Sequence, residues 1–94
     1  MLKINKAKAL PNYRVLVTFN TGENKVFNMS RMLHSPVYQK LKDETLFKAL
    51  RIRRGVVTWD AGKIDIAPEY MYEHNQEEVP KELLDKTKLT GVFF

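Results

Sequence analysis

The run YRVLVTFNTGENKVFNM, Tyr13 to Met29, limits the fold of this chain more than any other stretch. Tyr13, Val15, Val17 and Phe19 alternate with Arg14, Leu16, Thr18 and Asn20, the two-residue period of a strand. NTGEN then supplies turn chemistry, with Gly22 free to adopt positive φ, before Val26 and Phe27 resume the apolar pattern. The sequence therefore predicts an antiparallel hairpin. Upstream, LKINKAKAL sets Leu2 and Ile4 among lysines and reads as an edge strand whose charges discourage edge-to-edge association.

The period then changes. Ser30 is placed to cap a short turn through Arg31, Met32 and Leu33. Ser35-Pro36 reads as an N-cap with proline in the first helical position, putting Val37, Tyr38 and Leu41 on one apolar side. A second start at Asp43 leads into Leu46, Phe47 and Leu50 at helical spacing. Two short helices, or one broken helix, are expected.

Strand periodicity returns at LRIRR, and Gly55 permits a tight turn. VVTW and KIDI follow as a second hairpin across Asp60-Ala61-Gly62. Pro68 ends the sheet, because it cannot donate to a ladder, and opens a helical turn through Tyr72. Trp59 and Val57 share one side of their strand, and Ile64 and Ile66 face the same layer. Phe19, Trp59, Ile64, Ile66, Pro68 and Tyr72 are thus expected in the structural core, with Trp59 an anchor rather than a ligand platform. Strands, helices and strands again, without βαβ alternation, give an α+β class: a small antiparallel sheet of two hairpins plus an N-terminal edge strand, with short helices between the hairpins.

Ninety-four residues suit one modest core. The expected organisation is an α+β domain over residues 1–74 and a C-terminal extension over 75–94, a short helix from Pro80 and an apolar tail. The chain has no cysteine, which excludes disulfides, thiolate metal sites and a cysteine nucleophile, and fits a reducing compartment. MLKINKAKAL has lysines without a following apolar run, so a signal peptide is not expected. Apolar runs fall far short of the roughly 20 residues that span a bilayer. The expectation is a cytoplasmic protein without membrane association.

Charge is unevenly spread. Residues 1–56 hold 12 Lys and Arg against 3 Asp and Glu, a net of +9, whereas residues 57–94 carry a net of −4. Either one face awaits an anionic partner or the halves neutralise each other within one body.

Three groups of residues resemble a known family: Leu16-Val17-Thr18-Phe19-Asn20-Thr21-Gly22-Glu23 in the first hairpin; Tyr38-Gln39-Lys40-Leu41 with Leu46-Phe47; and Trp59, Gly62, Asp65, Ile66, Pro68 and Tyr72. Together they are similar to the small bacterial family catalogued as domain of unknown function 2442, over roughly Met1 to Tyr72. Asn28 stands where an aspartate commonly follows the second strand of that family. The resemblance implies a small sheet with short helices. It also implies members that occur alone or ahead of helix-turn-helix domains, some partnered with another small protein in toxin–antitoxin-like pairs. A helix-turn-helix after Tyr72 is not expected in the residues that follow.

Catalytic chemistry is not indicated. His34 is a sequence neighbour of Ser35 without a third orienting group, and His74 lies in a polar exit segment. Two histidines forty residues apart, with Asp60 and Asp65 around a turn, do not make a metal site, and no cofactor is expected. Two binding surfaces are candidates. Arg51, Arg53 and Arg54, joined by Arg14 and Lys48, offer guanidiniums and ammoniums to phosphates. Leu89, Val92, Phe93 and Phe94 offer an apolar contact for a partner, unless they cover the chain's own core. The expected function is a non-enzymatic small regulatory or protein-binding module, antitoxin-like in one form, with a small protein partner and a homodimer also compatible. The alternative is a nucleic-acid-binding accessory protein using the basic face.

Overall fold

The computed structural model describes residues 1–80. Leu83, Leu84, Leu89, Val92, Phe93 and Phe94, to which the sequence assigned a helix and a contact tail, lie outside the described residues. Strands β1 (Ile4–Leu10), β2 (Arg14–Phe19) and β3 (Asn24–Asn28) come first. Two 3₁₀ turns, Met29–Met32 and Gln39–Lys42, lead into helix α1 (Glu44–Lys48). Strands β4 (Arg51–Arg53), β5 (Val56–Trp59) and β6 (Ile64–Ile66), helix α2 (Pro68–Glu73) and strand β7 (Gln76–Glu77) complete the fold.

The class is α+β with antiparallel pairing, as the periodicity implies, but the strands divide into two sheets. One has the order β1-β2-β3-β7 and the other β4-β5-β6. The expected first hairpin is present, with Val15 opposite Phe27 and Val17 opposite Lys25. The N-terminal strand is indeed at an edge, and its ladder shifts between Ile4 and Lys6, where Asn5 is the extra residue of a bulge. The fourth strand, β7, has no periodic signal: two residues of a polar segment complete a ladder when they pair with Val26 and Phe27.

The sheets share one core. Ile4, Val15, Val17, Phe19 and Phe27 of the first pack with Val57, Trp59, Ile64 and Ile66 of the second, while Met29, Leu41, Phe47 and Met71 fill in from the turns and helices. The paired positions Val57–Ile66 and Trp59–Ile64 place the second hairpin's apolar face as the alternation predicts. Pro68 is buried at the first position of α2, and Tyr72 is half-buried at the core margin, its ring edge-on to Phe19 at 5.1 Å. Leu16 and Val26, cross-strand partners on the opposite face, are also fully buried, so this sheet does not have the single apolar face that simple alternation suggests.

The middle segment departs from expectation in two places. Asn28, not Ser30, caps the first turn: its side-chain oxygen accepts from the Ser30 N–H at 2.9 Å. Ser35-Pro36 does not begin an α-helix but enters a loop, and Val37 is exposed rather than part of an apolar side. Asp43 does cap α1, accepting from the Thr45 N–H at 2.9 Å. Among the described residues no helix is long and apolar enough to cross a membrane.

Candidate functional site

The two sheets meet at one end of β1, where the Ile4 N–H donates to the Gly55 carbonyl at 2.8 Å. Away from that junction they enclose a groove of about 970 Å³. One wall is Asn5, Ala7, Lys8, Ala9 and Leu10 of β1; the other is Leu50, Arg51 and Ile52; Glu44, Phe47 and Lys48 of α1 and the turn Pro11-Asn12-Tyr13 close the far end.

The lining pattern identifies which part of each strand faces this space. Side chains along a strand alternate between faces, so a groove under a sheet face would be lined by every second residue. Here Ala7, Lys8, Ala9 and Leu10 contribute consecutively, as do Leu50, Arg51 and Ile52. The groove therefore runs along strand edges. β1 gives its other edge to β2, and β4 gives its other edge to β5, while β1 and β4 are not ladder partners of each other. The result is a slot between two sheet edges, with apolar Ala7, Ala9, Leu10, Phe47 and Ile52 beside the charges of Lys8, Lys48, Arg51 and Glu44.

The five basic residues singled out from the sequence do not form one face. Lys48 and Arg51 line the groove. Arg53 turns away: its Nη1 donates to the Ala61 carbonyl at 3.1 Å. Arg54 occupies the β4–β5 turn with φ of 53°. Arg14 belongs elsewhere, where its guanidinium forks onto both carboxylate oxygens of Glu77 in a salt bridge, with the Nη2 contact at 3.1 Å. Asn28 Nδ2 donates to the same carboxylate at 2.7 Å. These donors hold the Glu77 carboxyl below the ordinary carboxylate range, the Arg14 hydrogen bond being the main cause. An aspartate at position 28 would instead set two carboxylates face to face. Glu77 as the partner of Arg14 was not legible, because 63 residues separate them.

Two tyrosines are also shifted. The Tyr72 hydroxyl donates to Glu23 at 2.7 Å, which raises the Tyr72 pKa and lowers that of Glu23. Burial raises the Tyr38 pKa, and its hydroxyl donates to the Asp65 carbonyl at 3.0 Å. Tyr72 ties α2 to the β2–β3 turn and Tyr38 ties its loop to β6, and both lie outside the groove lining. The His74 ring stands 4.3 Å from Tyr70, edge to face, and Gln39 binds the His34 carbonyl at 3.4 Å. Among the described residues no group of three or more His, Asp or Glu is placed to hold a metal ion.

The model of the family described as "Protein of unknown function (DUF2442)" matches residues 4–77. The chain belongs to that family. The match begins in β1 and reaches the end of β7, so the DUF2442 domain includes both sheets, both walls of the groove and the Arg14–Glu77 pair. A comparison with curated proteins and one with solved structures each found no match.

Proposed function

We propose that this DUF2442 domain acts without catalysis, as a small protein-binding module that receives a segment of a partner protein between β1 and β4. The observation that carries this reading is the groove itself, which brings Ala9, Leu10 and Ile52 into one space beside Lys48 and Glu44. A groove with apolar side chains and a charged border gives a partner segment pockets to fill. A small regulatory partner of the antitoxin–toxin kind fits an interface of this size, and the lack of cysteine fits a cytoplasmic setting.

A second reading keeps nucleic acid as the partner, on the observation that Lys48 and Arg51 stand together on the groove rim. It is weaker than the sequence suggested, since Arg14 is engaged by Glu77, and Arg51 and Arg53 by main-chain carbonyls. Purification of the tagged protein from its own cells, with and without nuclease, separates the two. A stoichiometric protein that survives nuclease is expected; nucleic acid alone, lost on nuclease treatment, would overturn the first reading.

A further inference from the structure

We infer that the outer face of the first sheet, the one turned away from the shared core, is the docking face for residues 81–94 of the same chain. Strand pairing sets Lys8, Leu16, Val26 and Glu77 in one row across all four strands, from β1 to β7. Alternation puts this row on the face opposite Ala7, Val15, Val17 and Phe27, which belong to the core. Yet Leu16 is 0% and Val26 2% exposed. Polar side chains flank them: Thr18 binds Asn24 on one side, and Arg14, Asn28 and Glu77 are joined on the other. Met29, Leu41, Phe47 and Met71, contributed by the turns and helices, pack into the core on the inner face. An antiparallel sheet commonly leaves one face to water, and polar residues stand there. A leucine and a valine fully withdrawn from water on that face call for a second apolar layer.

The chain itself can supply the layer. Pro80 follows closely on Glu77, the β7 end of the row, and residues 81–94 continue from it. The row is three inter-strand steps long, about 14 Å. Fourteen residues cover about 21 Å even at helical rise and more than twice that when extended, so reach imposes no conformation. Leu83, Leu84, Leu89, Val92, Phe93 and Phe94 offer apolar surface to Leu16 and Val26. The charges match as well. Lys6 and Lys8 stand on this face at the β1 end and both have partners, while Glu82 and Asp85 are carboxylates of the kind that ammoniums take. The side chains that the sequence offered to a foreign partner are thereby assigned to the chain's own sheet, and the groove is left as the surface for a partner.

The test uses the full chain, which has no native cysteine. Lys88→Cys carries a nitroxide, and amide intensities of the ¹⁵N-labelled protein are compared before and after reduction of the nitroxide. Amides of Lys8, Leu16 and Val26 should lose most of their intensity, while those of Lys48, Arg51 and Thr58 keep most of theirs. Adding Leu84→Asp/Leu89→Asp/Phe93→Asp should abolish that contrast, with the Thr58 and Ile66 amide shifts unchanged as the check that the core stands. Should this variant not fold, the pattern in the parent Lys88→Cys chain decides alone. The inference is overturned if the strongest losses fall on Lys48 and Leu50–Ile52, which would place the segment in the groove, or if they spread evenly over the surface. It is also overturned if a folded triple variant keeps the contrast, since apolar contact would not then hold the segment. Wild-type chain labelled with ¹⁵N and mixed with unlabelled chain carrying the nitroxide should show no losses. The same losses in that mixture would mean that a second copy covers the face, which refutes the inference.

Discussion

The indole N–H of Trp59 donates to the main-chain carbonyl of Phe47 across 2.9 Å, and the two rings stack with centroids 6.0 Å apart. Tyr13 also meets Phe47, edge-on at 5.2 Å, so a chain of three aromatic rings ties β5 to α1 and to the turn that closes the groove. Helix α1 has five residues, too few to persist on propensity alone, and depends on this anchorage.

Replacing Trp59 with phenylalanine should keep most of the packing and remove the donor. A buried carbonyl left without its partner costs about 1–3 kcal/mol, whereas Trp59→Ala should cost about 3–5 kcal/mol. Urea unfolding followed by far-ultraviolet circular dichroism checks both. A Trp59→Phe midpoint equal to wild type would mean that the hydrogen bond contributes nothing.

The Arg14–Glu77 pair makes stability depend on acid. Glu77 has a lowered pKa in the folded chain, so in the acid range the unfolded chain binds more protons. Its contribution is fully present above the ordinary carboxylate pKa and is lost as pH falls through the lowered folded value. Stability of the wild type should therefore decline on acidification more steeply than that of Glu77→Gln. Asn28→Asp should reverse part of the dependence, because protonating one of two facing carboxylates relieves their repulsion. Thermal midpoints of the three proteins between neutral pH and about pH 3 test this. Parallel curves for wild type and Glu77→Gln would show that the pair has no such role.

Arg54 and Gly55 form a two-residue turn between the paired residues Arg53 and Val56, with φ of 53° and 79°. Both angles are left-handed, the type I′ pattern that favours Asn-Gly. Arginine pays a steric penalty there that asparagine largely avoids. Arg54→Asn should stabilise the domain by about 0.5–1 kcal/mol, raising the thermal midpoint by a few degrees. An unchanged or lower midpoint in a thermal scan would contradict the turn assignment.

Much of the fold was legible because its signals are local. Alternation placed β2, β5 and β6, Asp43 announced α1, and Pro68 announced α2. What was not legible depends on distant partners. β7 exists because Gln76 and Glu77 find β3, and Arg14 left the basic face because Glu77 arrives beside it. Val37 looked apolar on helical spacing, but the segment after Pro36 never becomes a helix, so the spacing had no face to describe. The groove was half legible. LKINKAKAL marked an edge strand, yet that its edge faces the edge of β4 follows only from the way the two sheets meet at Gly55.

Gly62 offers a test of where Arg53 rests. Its φ is +88°, and a Cβ placed there would stand 2.7 Å from Arg53 Nη1. Gly62→Ala should therefore cost the left-handed strain, about 1–2 kcal/mol, together with whatever is lost when the guanidinium leaves the Ala61 carbonyl. Arg53→Ala alone should cost only the loss of that exposed contact, well under the glycine variant. With Arg53 already removed, Gly62→Ala incurs the backbone strain but displaces nothing. The double variant should then be more stable than the two single losses added together, by a few tenths of a kcal/mol or more. Urea unfolding of the four proteins measures this coupling. Strict additivity would place the Arg53 side chain away from Gly62 and return its guanidinium to the basic rim beside Arg51.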